Sequence, residues 1–451
     1  MKKTIFSAPV LSVTDASGKL NLFSLALPIW IEQISIQVLN SVSTMLISHV
    51  STDATAATGV VNPLMTALSS ILSVVSLGVS VLLSYALGKG DREEGQRLSG
   101  SAIAASLAVS LLLSGIMLAL SRPVIGLFEL DANVSPLALI FLRVRLPFLV
   151  PLGLRLVLTA MLRCHGRTSF TAICGISVTG VSVIGKLLTV TAKDLTIEQT
   201  VLGLGLASGA AQLTGFVLAV IFALRFLERP GKPDIHHAIR MIKIGFPSNC
   251  GVMFYNISSV VTTGIVAMLG TDAINAKVFV SSIAVYVPLF SQALSNSASV
   301  MFGRIFGKGD IPLAKRFARQ NILLSVGINT VLSVIVFFFA GPLLGLFTDN
   351  AEIIRVGRTL LAADIAVEIF RAFNHALGNA ALVSAKDIIF TSVLGIVSCW
   401  LVSVGGCRVL SIDLGLGIFG CWLAFAADEL VRAVGHCLRW RSGKWMKTIK
   451  R

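Results

Sequence analysis

The tetrapeptide Gly88-Lys89-Gly90-Asp91 occurs again, residue for residue, as Gly307-Lys308-Gly309-Asp310, so the second copy begins 219 residues after the first. The same interval superimposes further positions along both halves: Pro28 on Pro247, Asp53 on Asp272, Pro123 on Pro342, and Gly126-Leu127-Phe128 on Gly345-Leu346-Phe347. An apolar half that is duplicated in one register is typical of membrane transporters.

The composition places this repeat in a lipid bilayer. Of the 451 residues 55% are hydrophobic and only 13% are charged, and the mean hydropathy is +0.86. A soluble globule of this length needs more polar surface than that. The chain is therefore predicted to be an all-α polytopic membrane protein.

Apolar stretches long enough to cross a bilayer recur along the chain, and we count about twelve at roughly 20 residues or more each. The predicted spans are 21–47, 54–87, 98–120, 137–162, 169–191, 201–225, 240–269, 273–304, 318–346, 355–382, 387–409 and 415–440. They form two six-helix lobes, 1–225 and 240–440, with a cytoplasmic linker at 226–239 and a basic tail at 441–451.

The net charge is +15. The basic residues are concentrated in alternate predicted loops and do not form one basic surface of the kind that binds nucleic acid. By the positive-inside rule both termini and both GKGD loops are expected on the cytoplasmic side of the inner membrane. Each half then has an even number of spans, so the halves are parallel repeats about an axis along the membrane normal.

Several expectations are negative. The amino terminus lacks a convincing signal-peptide pattern, and the seven cysteines are scattered through apolar segments without metal-binding spacing. We expect no cofactor, no metal, no nucleic-acid partner and a monomer. The only ion expected is a coupling ion, either a proton or sodium.

Polar side chains follow one face of the first span. At 100° per residue they fall within roughly 140° of arc, and they are Glu32, Gln33, Gln37, Asn40, Ser43 and Thr44. The repeat counterpart of this span keeps Asn256 but has Gly251 in place of Glu32. An acid that occurs in just one of the two lobes is consistent with an ion-coupling site. The open alternative is a hydrated acid near the lipid headgroups.

The tenth span carries the strongest ionisable cluster, because Asp364, Glu368, Arg371 and His375 lie within about 60° of one another. Arg371 is expected to pair with Glu368, which leaves Asp364 less compensated and able to exchange a proton for a cationic substrate. The alternative is an ion-pair network that only fixes this helix in its lobe.

Other polar residues are secondary candidates. Arg155 lies opposite Arg371 if the repeat has lost three residues by that point, and Asn256 and Gln292 complete this group. Asp428, Glu429 and Arg432 lie near the basic tail, where we expect a structural clamp.

One motif that suggests an enzyme fails on its context. Gly-x-Gly-Asp also marks intramembrane aspartyl proteases, but here both copies lie in charged loops, where a turn is expected. No P-loop sequence occurs. The chain is not predicted to be an enzyme.

Taken together, these motifs resemble the multidrug and toxic compound extrusion (MATE) family, in its bacterial branch. The resemblance covers nearly the whole chain and rests on four features: Leu27-Pro28-Ile29-Trp30-Ile31-Glu32-Gln33 with Asn40 to Met45, the two GKGD loops, Glu368-x-x-Arg371-x-x-Asn374, and Asp428-Glu429-x-x-Arg432 before Arg439 to Trp445. It implies alternating access and export of cationic, often aromatic compounds against protons or sodium ions.

One departure bears on the mechanism. Many bacterial members of the family carry an aspartate where this chain has Ser43, and the usual Gly-Asp after span ten is Lys386-Asp387 here. The coupling role then moves to Glu32, to Asp364 or Glu368, or is lost. The predicted ion-coupling and substrate residues are Glu32, Gln37, Asn40, Ser43, Asp364, Glu368, Arg371 and Asn374. The alternative function is a flippase for a lipid-linked saccharide or another amphiphile, of the same superfamily.

Overall fold

The computed structural model describes residues 12–15, 18–48, 52–126, 128, 130–131, 133–192 and 195–449. For residues 12–15, 18–19, 40–48, 52–53, 55–56 and 271 it describes the backbone only. Helices dominate these residues, which confirms the predicted all-α class. The exception is a short antiparallel hairpin, in which Ser12 of β1 (Ser12–Asp15) pairs with Asn21 of β2 (Gly18–Asn21).

The described residues of the first half form eight helices. They are α1 (Leu22–Ser48), α2 (Thr52–Lys89), α3 (Arg92–Ala119), α4 (Ser121–Gly126), α5 (Val134–Arg145), α6 (Leu149–Cys164), α7 (Thr168–Thr191) and α8 (Ile197–Phe226). A single 3-10 turn, Leu146–Phe148, joins α5 to α6. It contains Pro147, and α5 and α6 together form the fourth predicted span.

The second half contains the other ten helices. They are α9 (Ile235–Ala267), α10 (Thr271–Ala284), α11 (Pro288–Gly307), α12 (Ile311–Phe338), α13 (Ala340–Gly345), α14 (Ala351–Asn374), α15 (Ile388–Ser398), α16 (Gly405–Arg408), α17 (Gly417–Arg441) and α18 (Trp445–Ile449). Three π-helical stretches continue the spans, at His375–Leu382, Cys399–Val404 and Val409–Asp413.

The helix boundaries repeat at the interval seen in the sequence. α3 begins at 92 and α12 at 311, and the short helices α4 and α13 begin at 121 and 340. α2 and α10 begin at 52 and 271. Each of these pairs is 219 residues apart, so the repeat in the sequence is also a repeat of helices.

The GKGD loops stop one helix and start the next. Gly90 and Gly309 adopt φ of 76° and 73°, a left-handed conformation that glycine adopts without steric cost and that commonly ends helices. Asp91 Oδ1 then accepts a hydrogen bond from the backbone N–H of Glu94 at 3.0 Å, and Asp310 caps α12 in the same way. The expected loop turn is confirmed.

Nine of the described helical segments are long and apolar enough to cross a membrane, and the α10–α11 pair makes a tenth, bent by 47°. The bend lies just before Pro288, the first residue of α11, where the lost N–H and the ring of proline break the ladder. The other two predicted spans, α14 with its π-helical continuation and α17, carry the ionisable clusters of spans ten and twelve.

The chain divides into two compact units, and the division passes through α1. The C-terminal unit contains the described residues of Met1–Trp30, Leu87–Gly90 and Phe246–Arg451, and the N-terminal unit contains Ile31–Ala86 and Asp91–Gly245. Each unit has its own apolar core. One is centred on α2, α5 and α6, and the other on α10, α14 and α17.

The segment between α8 and α9 lies along α3 of the N-terminal unit. The backbone N–H of Gly231 donates to the carbonyl of Gln96 at 2.8 Å, and that of Asp234 donates to Ser101 Oγ at 2.8 Å. Since α9 begins at Ile235, part of the segment expected to be linker is helical.

The basic tail folds back onto the C-terminal unit as far as residue 449. Trp445 of α18 is fully buried and stacks on Trp440, with ring centroids 4.2 Å apart. The Trp445 ring also packs against the ring of Phe306 of α11. Thr448 Oγ1 donates a hydrogen bond to the carbonyl of Ala385 at 2.7 Å. Aromatic stacking therefore holds the tail against the C-terminal unit, although the sequence of this segment is mainly notable for its basic residues.

The packing of α9 on α2 generates a stability prediction. A Cβ at Gly245 of α9 would overlap the backbone carbonyl of Val74, whereas a Cβ at Gly264 of the same helix would meet nothing within 4 Å. Gly245→Ala should therefore destabilise the protein by about 1–3 kcal/mol or more, through overpacking. Gly264→Ala should be neutral or stabilising, because alanine favours helix. Thermal unfolding of both variants in detergent tests this, and equal melting temperatures would contradict it.

Candidate functional site

The C-terminal unit holds a buried polar cluster on α12, α14 and α17. Glu368 of α14 has no exposed surface. Arg371 donates to its Oε1, which is the i, i+3 pair that the sequence predicts, and Asn329 Nδ2 of α12 donates to its Oε2 at 3.1 Å. Both oxygens of this carboxylate therefore have hydrogen-bond partners inside the protein.

Glu429 of α17 connects this pair to the twelfth span. Its Oε1 accepts from Arg371 Nε at 3.3 Å and lies 3.3 Å from Arg432 Nη2, so one carboxylate lies against two guanidinium groups. Its Oε2 accepts from Asn374 Nδ2 at 2.8 Å. The expected clamp of Asp428, Glu429 and Arg432 is thus joined to the cluster of the tenth span by Arg371.

The two remaining carboxylates have different partners. Asp428 pairs with Arg432, and its Oδ1 accepts from Ser398 Oγ at 2.6 Å. Asp364, which is also buried, accepts from the indole Nε1 of Trp422 at 3.1 Å. Asp364 is therefore held by a neutral donor, in agreement with the expectation that it is less compensated than Glu368.

Asn374 also fixes the tautomer of His436. Its amide nitrogen donates to Glu429, so its Oδ1 is the acceptor 2.9 Å from His436 Nδ1. The imidazole must then donate from Nδ1, and a neutral ring presents Nε2 as an acceptor. Gly378 of the π-helical stretch makes room for this ring, since a Cβ there would overlap His436 Cε1.

His375 belongs to a different contact. Its Nδ1 lies 3.0 Å from Ser291 Oγ, and its carbonyl accepts from Ser295 Oγ at 2.8 Å, both on α11. His375 also begins the π-helical stretch, a feature found frequently at functional sites. Although the sequence places it on the face of Asp364 and Glu368, its hydrogen bonds are directed to α11.

The N-terminal unit contains a smaller cluster around Glu32 of α1. Glu32 is 6% exposed, and its Oε2 lies 3.5 Å from Arg163 Nη2 of α6. Arg155 lies about two turns before Arg163 on the same helix, and its positive charge also acts on this carboxylate. A Cβ at Gly175 of α7 would overlap Glu32 Oε1, so the absence of a side chain there admits the acid.

The remaining predicted residues are not brought into these clusters by any described contact. Gln37 lies on α1 and is partly buried, and the side chains of Asn40 and Ser43 are outside the described residues. Asn256 of α9 and Gln292 of α11 are exposed. The predicted set therefore separates into Glu32 with Arg155 in one unit, and Asp364, Glu368, Arg371 and Asn374 in the other.

Sequence reasoning missed several members of the clusters. Arg163 lies just beyond the predicted fourth span (137–162) and Glu429 belongs to the expected structural clamp, yet each is an ion-pair partner of a predicted residue. Asn329 and Trp422 were not considered as candidates. A buried asparagine in a long apolar helix is a usable signal, because amides inside a membrane need partners.

Comparison with known proteins agrees with this architecture. The family model MatE matches residues 28–188 and again 247–407, two ranges that begin 219 residues apart. An uncharacterized transporter, YisQ of Bacillus subtilis, is 27% identical over 99% of both chains. A probable multidrug resistance protein, NorM of Thermotoga maritima, is 23% identical over 94% of this chain and 93% of its own.

A solved structure shares the fold. It is described as the outward-facing conformation of a multidrug resistance MATE family transporter of the MOP superfamily. The alignment has a TM-score of 0.85 and 16% identity, and it covers 95% of this chain and 96% of that chain. The duplicated family match and this structure confirm the internal repeat and the transporter fold.

The buried network generates a prediction about stability. Arg371→Gln should cost about 3–5 kcal/mol, because it leaves buried carboxylates without their counter-charge. Arg355→Gln is the control: it removes an arginine of the same helix whose partner, Glu352, is exposed, and its melting temperature should match the wild type.

A second substitution tests the cause of that loss. The double variant Arg371→Gln/Glu368→Gln should regain part of the stability, since the unpaired charge is then gone. Thermal unfolding in detergent measures all three variants. A double variant no more stable than Arg371→Gln alone would show that the arginine contributes through packing and not through charge.

Proposed function

This chain belongs to the MatE family of membrane transporters, and from that premise we propose that it exports cationic, aromatic compounds in exchange for protons or sodium ions. It is a transporter and not an enzyme. Relatives that carry the name of multidrug resistance proteins align with it over nearly its whole length, which supports the choice of substrate class. Neither they nor the family match favours the flippase alternative.

The observation that carries the proposal is the charge balance inside the C-terminal unit. Its polar cluster contains two guanidinium groups, those of Arg371 and Arg432, and four carboxylates, those of Asp364, Glu368, Asp428 and Glu429. Ionised groups inside a membrane need counter-charges. With all groups ionised the cluster has two negative charges in excess, which protons, sodium ions or a bound cation can neutralise.

We assign the exchange to Asp364 and Glu368. Asp428 and Glu429 contact Arg432, and Glu429 contacts Arg371 as well. Asp364 has only the neutral indole of Trp422 as a hydrogen-bond donor among the described contacts, and Glu368 shares Arg371 with Glu429. Asn329 Oδ1, beside Glu368, is buried without a hydrogen-bond partner, so a small cation would find oxygen ligands there.

Transport then follows from competition for the same carboxylates. A proton or sodium ion occupies Asp364 and Glu368 in one state, and the cationic substrate replaces it in the other. Each ligand shifts the conformational equilibrium by its difference in affinity for the two states. Alternating access couples the two fluxes in opposite directions, because the empty cluster retains an uncompensated charge.

Ethidium efflux from vesicles tests this proposal. Wild-type protein should export ethidium under an imposed proton gradient or sodium gradient, and one of the two gradients should suffice. Asp364→Asn and Glu368→Gln should reduce gradient-driven efflux to the rate of empty vesicles. Glu352→Gln, which alters an exposed acid of the same helix, should transport like the wild type.

The controls separate coupling from folding. Each variant is compared with the wild type in melting temperature and in equilibrium ethidium binding before transport is measured. Driven efflux that persists in both Asp364→Asn and Glu368→Gln would contradict the assignment of these carboxylates.

We further propose that both termini lie in the cytoplasm, with the chain in the inner membrane. The basic residues of alternate loops support this orientation. A fluorescent protein that matures only in the cytoplasm, fused after Arg451, should fluoresce in cells. A dark fusion together with an active periplasmic reporter at the same position would reverse the orientation.

A further inference from the structure

The C-terminal unit has an apolar groove on the surface formed by α12, α14 and α17. Its volume is about 510 Å³, within the range of about 300–1,000 Å³ for ligand pockets. Its lining comes from 322–327 of α12, 369–373 of α14 and 433–437 of α17, and it consists of hydrophobic residues, a glycine and Cys437. Leu323 and Val434 are exposed. The groove is therefore open to its surroundings and suits a hydrocarbon chain.

Two hydrogen bonds behind the groove give the relative direction of α12 and α14. Asn329 Nδ2 donates to Glu368 at 3.1 Å, and Asn321 Nδ2 donates to the carbonyl of Ala376 at 3.2 Å. The earlier residue of α12 thus meets the later residue of the α14 segment. The two helices are antiparallel, so the start of α12 lies beside the end of α14.

Two further contacts give the direction of α17. Trp422, near its start, donates to Asp364, and His436, near its end, lies 2.9 Å from Asn374 Oδ1. Earlier residues of α17 thus meet earlier residues of α14, and the two helices are parallel. The start of α12 and the end of α17 therefore lie at the same end of the groove.

Arginines gather at that end of the groove. Arg319 lies one turn before Leu323 on α12, and Arg316 precedes Leu323 by two turns. Arg441 follows Cys437 of α17 by one turn. At 100° per residue each arginine falls within the arc of its helix that lines the groove. All three are exposed, and among the residues that the structure describes none of them has an ion-pair partner.

The corresponding helix of the first half, α3, neutralises its arginine internally. Arg97 is the counterpart of Arg316 at the 219-residue interval, and its Nη2 lies 2.6 Å from Oε1 of Glu93. The counterpart of Glu93 is Pro312, and the counterpart of Arg319 is a glycine. The second half therefore lacks this acid and has one more arginine, which leaves two guanidinium groups for an anion from outside the chain.

An anionic phospholipid matches both parts of this surface. Its acyl chains are hydrocarbon, and its phosphate can accept paired hydrogen bonds from a guanidinium group. Basic residues at the ends of membrane helices attract anionic lipids in this way. A zwitterionic phospholipid offers the same chains, but its ammonium group offsets the charge of its phosphate.

We propose that this groove binds one anionic phospholipid, with part of an acyl chain between α12, α14 and α17 and with the phosphate at Arg316, Arg319 and Arg441. The site lies within the C-terminal unit and does not depend on the proposed exchange of ions for substrate. In the orientation proposed above, α12 starts on the cytoplasmic side, so the lipid belongs to the cytoplasmic leaflet. The same three helices carry the buried polar cluster, and a lipid bound between them should stabilise the folded protein.

Native mass spectrometry of the delipidated full-length protein tests this site. The probes are phosphatidylglycerol, which is anionic, and phosphatidylcholine, which is zwitterionic, with the same pair of acyl chains. The wild type should bind one phosphatidylglycerol at least about tenfold more tightly than phosphatidylcholine, since each basic residue at a membrane surface contributes about fivefold. Glycerol 3-phosphate, which has the phosphate without the chains, should not displace the bound lipid.

A double variant tests the headgroup contact. Arg316→Gln/Arg319→Gln should lower the affinity for phosphatidylglycerol to about that for phosphatidylcholine, with the affinity for phosphatidylcholine unchanged. Arg229→Gln/Lys232→Gln is the matched control. It removes two exposed basic residues of the segment between α8 and α9 and should bind both lipids like the wild type.

A third variant tests the chain contact by filling the groove. A Cβ at Gly327 would meet nothing within 4 Å, so Gly327→Leu adds a side chain to the groove without a clash at Cβ. It should weaken phosphatidylglycerol binding at least about tenfold, because displacement of two methylene groups suffices for that. Gly115→Leu, at an exposed glycine of α3 with equal space around Cβ, should bind like the wild type. Melting temperatures without lipid establish that all variants are folded.

Four results would overturn the proposal. They are equal wild-type affinity for the two lipids, a preference for phosphatidylglycerol that survives in Arg316→Gln/Arg319→Gln, wild-type lipid binding in Gly327→Leu, and displacement of the lipid by glycerol 3-phosphate. The last result would mean that the arginines recognise a phosphate alone and that the groove takes no part.

Discussion

The contact of Arg371 with Glu368 and Glu429 is the interaction on which the interior of the C-terminal unit depends. A carboxylate in hydrocarbon is tolerated only with a counter-charge or a proton, and this guanidinium serves two carboxylates on two helices. It therefore joins α14 to α17. Because one guanidinium group is shared by two carboxylates, the cluster has fewer positive than negative groups. The resulting excess of carboxylates over guanidinium groups is what the proposed exchange of protons or sodium ions for a cationic substrate requires.

The two units derive from one repeated sequence, yet their buried charges have become opposite. The helix pair α5–α6 carries Arg155, and its counterpart α14 carries Arg371, so each half retains an arginine in its fourth span. The acids around these arginines differ: among the described residues Glu32 is the carboxylate that acts on Arg155, and the counterpart position of Glu32 is Gly251. The acids around the arginine of the fourth span have therefore diverged between the two halves, although helix starts earlier in each half keep the 219-residue interval.

The sequence predicts the helices well because their signals are local. Apolar length, the GKGD stop and start, and the proline before the α10–α11 bend all act within a few residues. The partners of the buried charges are not local. Arg163 meets Glu32 from a distant part of the chain, and Trp422 meets Asp364 likewise. Helical spacing identifies the face on which an acid lies, but the residue opposite that face depends on how α1, α6, α14 and α17 pack.

In the proposed mechanism, protons or sodium ions and a cationic substrate compete for the acids of the C-terminal unit. The most direct measurement is the equilibrium affinity of the purified protein for ethidium, titrated separately against pH at constant sodium and against sodium at constant pH. We expect the ethidium affinity to fall steadily as the concentration of one of these two ions increases, and we expect the double variant Asp364→Asn/Glu368→Gln to abolish this dependence. An ethidium affinity that is independent of both ions in the wild type would contradict it.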